Sequence, residues 1–465
     1  MPELRRLEPG FDQTLASAIV GVDTLYGHDA GSPSGKHHFI ADSYPRDEVE
    51  LPAAYHDTTA HALRWGQRGI EPGVEVEKVA RYVSQYGLTD NRGRLLSALG
   101  ESAPEYRQHF ARNLGECLDV MTRTALAINR KESLPPYEER YGASTRRAPQ
   151  LVDTAPLRET LRAALGKIGW DVTQSRPLRD TLIAWEADRG KVPAEKMAEE
   201  VARVRSHLMD LMRKNMFSKI DFDLPGHDPH LADLPFDGME LRFVQGVPFT
   251  GSNAYTGGVN PDGSPALKAL FEYNTDHPLS PSHLYDFVAH EIIAHYVDTV
   301  MADLRWRAGQ IGLEGPLGTM CTTGVILREG FAQNALKLIY GGSEERAIDA
   351  LGPDQRVQFA RQRLDDTGKH NASILHQLQG LSLDEVRRHL AVECVLADSF
   401  VEKLSGIWAT HPVWGPMYGP AYHVGQTVVD DMIKKHGPQK VLAMCLHQKG
   451  YLDIDTLPEV LDQAA

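Results

Sequence analysis

Ser280-Pro281-Ser282-His283-Leu284-Tyr285-Asp286-Phe287-Val288-Ala289-His290-Glu291-Ile292-Ile293-Ala294-His295 is the stretch from which the rest of the chain can be read. Ser280 suits the cap of a helix, and proline suits the next position, where a missing N–H costs nothing. Leu284, Phe287, Val288, Ile292 and Val297 then recur at helical spacing, which predicts a helix with one core-facing stripe. Two imidazoles and a carboxylate inside such a helix cost desolvation energy unless they are ligated or hydrogen-bonded. The residue types point to a metal: neutral imidazole nitrogens bind zinc, and an adjacent carboxylate can take a proton from its water.

The spacing of the two histidines is unusual. Helical zinc motifs place them four residues apart, on one face, whereas His290 and His295 are five apart. At about 100° per residue, the second ring lies roughly 140° from the first on a regular helix, too far round to share an ion. The sequence therefore predicts a π-type widening between them, a feature that concentrates at functional sites.

A third ligand stands in Arg328-Glu329-Gly330-Phe331-Ala332-Gln333. Residues 321–340 read as a second helix, apolar at Val325, Ile326, Phe331, Leu336 and Ile339 and stopped by Gly341-Gly342. Arg328 does not face Glu329, because consecutive helical residues point apart. His290, His295 and Glu329 together make a two-histidine, one-carboxylate set for one zinc ion per chain. Glu291 is left over as a general base.

This combination resembles the gluzincin metallopeptidases. The His-Glu-x-x-x-His form is similar to that of dipeptidyl peptidase III and of the microtubule-associated tyrosine carboxypeptidases. The latter follow it with a Glu-Gly-Leu-Ala-like motif, comparable to Glu329-Gly330-Phe331-Ala332. The resemblance covers about residues 280–340. It implies zinc ligands at His290, His295 and Glu329, the base at Glu291, and a two-lobed metallohydrolase with its cleft between the lobes. One departure stands out: many gluzincins carry an aspartate four residues after the ligand glutamate, and this chain has Gln333. Asp298, three residues past His295, is the candidate replacement for orienting a zinc histidine.

Upstream, 239–244 alternates like a strand and 269–274 reads as another. Between them, Thr250-Gly251-Ser252-Asn253-Ala254-Tyr255-Thr256-Gly257-Gly258 is too rich in glycine and small polar residues to read as strand or helix. The resemblance implies a small sheet over 239–275 whose edge receives extended peptide, with Asn253 and Tyr255 at the substrate. A plain surface loop is the alternative. Downstream, Gly419-Pro420 opens a helix that runs to Gly437. Tyr418, Tyr422 and His423 lie at or near its first turns, where phenol or imidazole could stabilise an oxyanion; packing aromatics are the alternative. His37-His38 lacks a carboxylate at ligand spacing, and His56 and His61, five apart, lack the intervening glutamate and apolar context, so these read as structural; His283 reads as solvated or supporting.

The chain has 465 residues, 42% of them hydrophobic, enough for a large core. Its 49 basic and 63 acidic residues give a net charge of −14, which argues against a general nucleic-acid binder. No apolar run is long enough for a membrane span, and the acidic start lacks the apolar core of a signal peptide. Cys117, Cys321, Cys394 and Cys445 are scattered, as expected of reduced thiols in a cytoplasmic protein. Helical periodicity fills 105–130, 157–168 and 194–217, and Ser382-Leu383-Asp384-Glu385 is a capping box for a helix reaching about 404. Breaks fall at 134–137 and 221–235.

The expectation is a mainly α fold with a small β-sheet: a helical lobe over 1–235 and a catalytic domain over 236–465. The expected activity is zinc-dependent hydrolysis of an amide or peptide bond in a short peptide, a chain end or an amide-containing small molecule. Two alternatives remain: a non-haem iron oxygenase on the same ligands, and a non-catalytic scaffold of the same shape.

Overall fold

Helical periodicity carries through to the architecture: a computed structural model of the chain is mainly α-helical with a three-stranded sheet and one short hairpin. It describes residues 4–27, 40–41, 43–56, 63–66, 69–215, 217, 238–247, 250–447 and 453–463. His37, His38, His61, the side chain of His56 and the break at 221–235 lie outside the described residues.

The long predicted helix spans Glu105–Arg130 and stops where Lys131 turns left-handed at φ 59°. The amphipathic helix Met197–Asn215 buries Val201, Val204 and Leu208, as its stripe requires. The histidine helix starts where its cap predicts: Ser280 Oγ accepts from the His283 N–H at 3.3 Å, ahead of Pro281–Val288.

Two expected helices are shorter than their sequence pattern. The 321–340 stretch divides into Thr323–Gln333 and Ala335–Ile339. Asn334 breaks it, its amide donating to the Gly330 carbonyl at 2.9 Å and to the Gln426 carbonyl of a neighbouring helix at 3.1 Å. The Ser382–Glu385 capping box forms, but its helix ends at Val392, and a new one, Asp398–Lys403, follows a turn through Val395 at φ 61°.

The hairpin pairs β1 (Leu63–Gly66) with β2 (Gly69–Pro72) and was not legible in the sequence. The sheet contains β3 (Met239–Val244), β4 (Gly251–Val259) and β5 (Pro265–Asn274) in the order β3-β5-β4. β3 runs parallel to β5, and β4 runs antiparallel to it. The glycine-rich 250–258 stretch is therefore a strand, against the reading of its composition. Burial against the histidine helix overrides weak β-propensity, and Gly257 and Gly258, at φ 70° and 101°, absorb the register shifts at its end.

Two large apolar cores hold these elements. One joins Leu15, Ile19, Leu118 and Met121 to Ile326, Leu404 and Met417. The other joins Val204 and Leu208 to Phe271, Ile292, Val300, Leu336 and Val429. Both draw on residues from either side of position 235. Among the described residues, no helix is long and apolar enough to cross a membrane.

Candidate metal centre

Between Ala289 and Tyr296 the histidine helix widens into a π-helix, then resumes α geometry at Val297–Arg307. The widening absorbs the extra residue in the five-residue offset. His290 and His295 consequently face the same way, with their Nε2 atoms 3.2 Å apart. Glu329 closes the triangle: Oε2 lies 3.4 Å from His290 Nε2, and Oε1 lies 3.8 Å from His295 Nε2. One donor atom from each residue falls within 4.8 Å of the others.

This set fits a divalent metal. Glu329 is only 4% exposed, and its Oε2 has no hydrogen-bond partner among the described residues. With only the His290 imidazole 3.4 Å away and no hydrogen bond to it, a buried carboxylate oxygen is a favourable place for a cation. Burial pushes the Glu329 carboxyl up, but His295 and His290 outweigh it and hold the group at about 2. Burial likewise disfavours charge on His290, and Glu329 outweighs that, so the imidazole is raised above its usual value. Two nitrogens and one carboxylate are a standard zinc donor set with a coordination position open.

Glu329 is held in place from behind. Its helix crosses the turn at Ala421–Gly425 so closely that a Cβ on Gly330 would overlap the Gly425 carbonyl. That crossing brings up Tyr418, whose hydroxyl donates to Glu329 Oε1 at 2.8 Å. The Tyr422 hydroxyl lies 2.7 Å from that of Tyr418, and its ring stacks nearly parallel to His290 at 6.3 Å. The Lys369 ammonium sits 3.5 Å from the centre of the Tyr422 ring.

Glu291 lies beside the trio without belonging to it, and lines the same cavity of about 880 Å³. Its main-chain carbonyl accepts from Asn253 Nδ2 at 2.7 Å, which ties the histidine helix to β4. Thr250, Gly251, Ser252 and Asn253 form one wall of the cavity.

Two expected site residues, Tyr255 and His423, lie off the cavity wall. His423 is not among the cavity-lining residues. It packs edge-on against His370 at 5.2 Å, and burial, with Arg147 nearby, lowers it to about 4. Tyr255 is 2% exposed, belongs to the core beneath the sheet, and does not line the cavity. Asp298 faces Arg328 at 3.3 Å, and burial raises its carboxyl to about 6. Gln333 donates to Asp366 Oδ2 at 2.8 Å and accepts from Gln362. Asn253, His283 and Gln333 do line the cavity.

The largest omission is the helix Asp354–Ser373. Arg361, Asp365 and Lys369 recur every four residues and line the cavity wall. That spacing was visible, but a charged helix face normally meets solvent. Arg361 pairs with Glu186 at 2.8 Å, and Lys369 with Asp366 at 3.0 Å. Lys403 also lines the cavity, donating to Thr250 Oγ1 at 2.9 Å. Burial, with Lys369 nearby, lowers its ammonium to about 7.

No family model and no curated protein matches the sequence. The fold is similar to two solved structures, each called a "putative lipoprotein". The one from Colwellia psychrerythraea is 10% identical, with a TM-score of 0.51 over 84% of this chain and 69% of that one. The other, from Shewanella oneidensis and of unknown function, is 11% identical, with a TM-score of 0.48 over 83% and 73%. The first of these likenesses shows a shared fold and nothing finer.

Proposed function

We propose that this chain is a zinc-dependent hydrolase of amide bonds, acting on short peptides, chain ends or amide-containing small molecules. The observation that carries the reading is the π-helix at Ala289–Tyr296, which turns both histidines toward Glu329 while leaving Glu291 on the wall of the same cavity. His290, His295 and Glu329 would hold the ion. When bound, zinc supplies Lewis acidity toward a carbonyl oxygen and makes a water molecule more acidic.

The chain's own residues do the rest. Glu291 accepts the proton of the attacking water and passes it to the leaving amine. Tyr418 fixes the Glu329 carboxylate through its hydrogen bond. Tyr422, on the cavity wall beside His290, would serve the carbonyl oxygen as charge develops there by turning its hydroxyl proton away from Tyr418. The same ligands suit iron, but oxygenase chemistry gives Glu291 no task, and its position at the cavity favours hydrolysis. The four cysteines are buried and none forms a disulfide among the described residues, which agrees with a reducing cytoplasmic setting.

Metal analysis of the purified protein, run with a peptide-library digestion read by mass spectrometry, tests the proposal. Zinc near one equivalent with amide cleavage is expected. Glu291→Gln should retain the zinc and lose at least about a hundredfold in turnover, the usual contribution of a positioned base. Stoichiometric iron with oxygen-dependent turnover, or metal lost from Glu291→Gln, would overturn it.

A further inference from the structure

Lys403 lines the same cavity as His290, His295 and Glu329, and the hydrolysis proposed above gives it no task. It ends the helix Asp398–Lys403 and is partly buried. Its Nζ donates to Thr250 Oγ1 at 2.9 Å, and among the described residues no carboxylate pairs with it. The nearby acids of the cavity wall are engaged elsewhere. Asp366 holds Lys369 at 3.0 Å, and Asp365 faces Arg361 at 3.6 Å.

The surroundings of Lys403 disfavour a positive charge. Burial acts first, Lys369 on the helix Asp354–Ser373 follows as a like charge, and Asp365 on the same helix offsets less. His277, just past β5, is another possible cation on the wall, itself lowered by burial and by Lys403. Phe400, one turn back on the helix of Lys403, has its ring centre 5.5 Å from Nζ, where a ring face offers an ammonium far less than a carboxylate would. Leu279, Phe287 and Ile407 add apolar wall to the cavity. A lysine beside a second ammonium and against apolar wall is in the setting that makes the side chain a nucleophile. Held at about 7, roughly half of it is free amine at neutral pH, against less than about one part in a thousand for an ordinary lysine.

We propose that Lys403 is a second reactive centre of this cavity, an amine that captures aldehydes as imines. Nζ adds to the carbonyl carbon, and the proton it gives up passes to the carbonyl oxygen, with the Thr250 hydroxyl as relay. The resulting carbinolamine loses water, which leaves the carbon–nitrogen double bond and consumes no oxidant or reductant. Thr250 precedes Gly251, where a Cβ would lie 3.0 Å from Glu291 Oε1, so a ligand held on Lys403 stands close to the proposed base. Capture needs neither the metal nor Glu291, and it is therefore independent of the amide-hydrolase reading.

The test treats the full-length, zinc-loaded protein with benzaldehyde and sodium cyanoborohydride, which reduces each imine to a stable secondary amine. Peptide mapping by mass spectrometry then locates the label on every lysine. At pH 7 Lys403 should be labelled at least about tenfold faster than any other lysine, since the excess of free amine outweighs the lower nucleophilicity of a less basic nitrogen. That preference should shrink as the pH is raised toward about 10, where ordinary lysines also become free amines. Lys403→Met should lose the fast label and keep the slow ones. Because the label is read without turnover, a protein that cleaves no amide can still confirm the reactive amine. Equal labelling of all lysines at pH 7, a preference that does not change with pH, or an unlabelled Lys403 would overturn the proposal.

Discussion

Gly251 and Glu291 approach so closely that a side chain on the glycine has no room. A Cβ there would lie 3.0 Å from Glu291 Oε1 and 2.5 Å from the Phe287 ring. The glycine that made 250–258 look unlike a strand is thus what lets β4 press against the histidine helix.

Gly251→Ala should therefore displace Glu291 or Phe287 without touching a metal ligand. We expect zinc content near that of the parent and turnover reduced at least about tenfold, because a general base must stay within hydrogen-bonding reach of its proton. Parallel zinc analysis and kinetics check this. Parent-like turnover would mean that the Glu291 carboxylate does not act from its present position.

Tyr418 touches Glu329, so in the proposed centre it would act on the metal through that residue. Tyr418→Phe deletes the hydroxyl that donates to Glu329 Oε1 and keeps the ring between Trp408 and Trp414. Removing a hydrogen-bond partner of a ligand usually costs about 10–100-fold in metal affinity. Competition against a chelator should show a loss of that order with little change in melting temperature. An unchanged zinc affinity would sever Tyr418 from the site.

The π-widening invites a deletion. Without Ala294 the histidines stand four apart, a spacing that still puts both rings on one face. Because the widening already absorbs the extra residue, the shortened stretch can close to regular α geometry with the Tyr296 hydroxyl still at the Leu267 carbonyl, Asp298 still at Arg328, and Val297 and Val300 still in the core. The deletion should thus leave a folded protein that still binds zinc, with the melting temperature changed by no more than a few degrees. Loss of the fold or of zinc would show that the widening does more than absorb one residue.

The grouping of His290, His295 and Glu329 was legible because its signals are local: a cap at Ser280, a stripe through Ile292, a five-residue offset and one glutamate amid apolar residues. The offset even carried the π-widening, since geometry left no other way for the two rings to meet. What stayed hidden depends on tertiary context. β4 has the composition of a loop and is a strand because the histidine helix covers it. Arg361, Asp365 and Lys369 look like a solvated helix face and instead line the cavity. His423 follows Tyr422 directly and still points elsewhere, because neighbouring helical residues diverge. Asp298 stood at a plausible spacing from His295, and only the fold shows Arg328 beside it.

Lys403 provides a test that needs no substrate. Burial, with Lys369 nearby, lowers its ammonium from the usual lysine range to about 7. In the unfolded chain it returns to about 10.4. Between those values the unfolded chain binds a proton that the folded protein has released, so this residue makes stability rise with pH across the window and fall as pH drops toward 7. Above the unfolded value both states are neutral and the contribution vanishes. Lys403→Met should accordingly be more stable than the parent at pH 7, with the difference shrinking as the pH is raised toward about 10. Urea unfolding of both proteins across that range measures it, and the difference between them cancels groups that titrate in both. A methionine variant no more stable than the parent at pH 7, or a difference that does not change with pH, would mean that the ammonium reaches solvent and does not lie buried against Thr250.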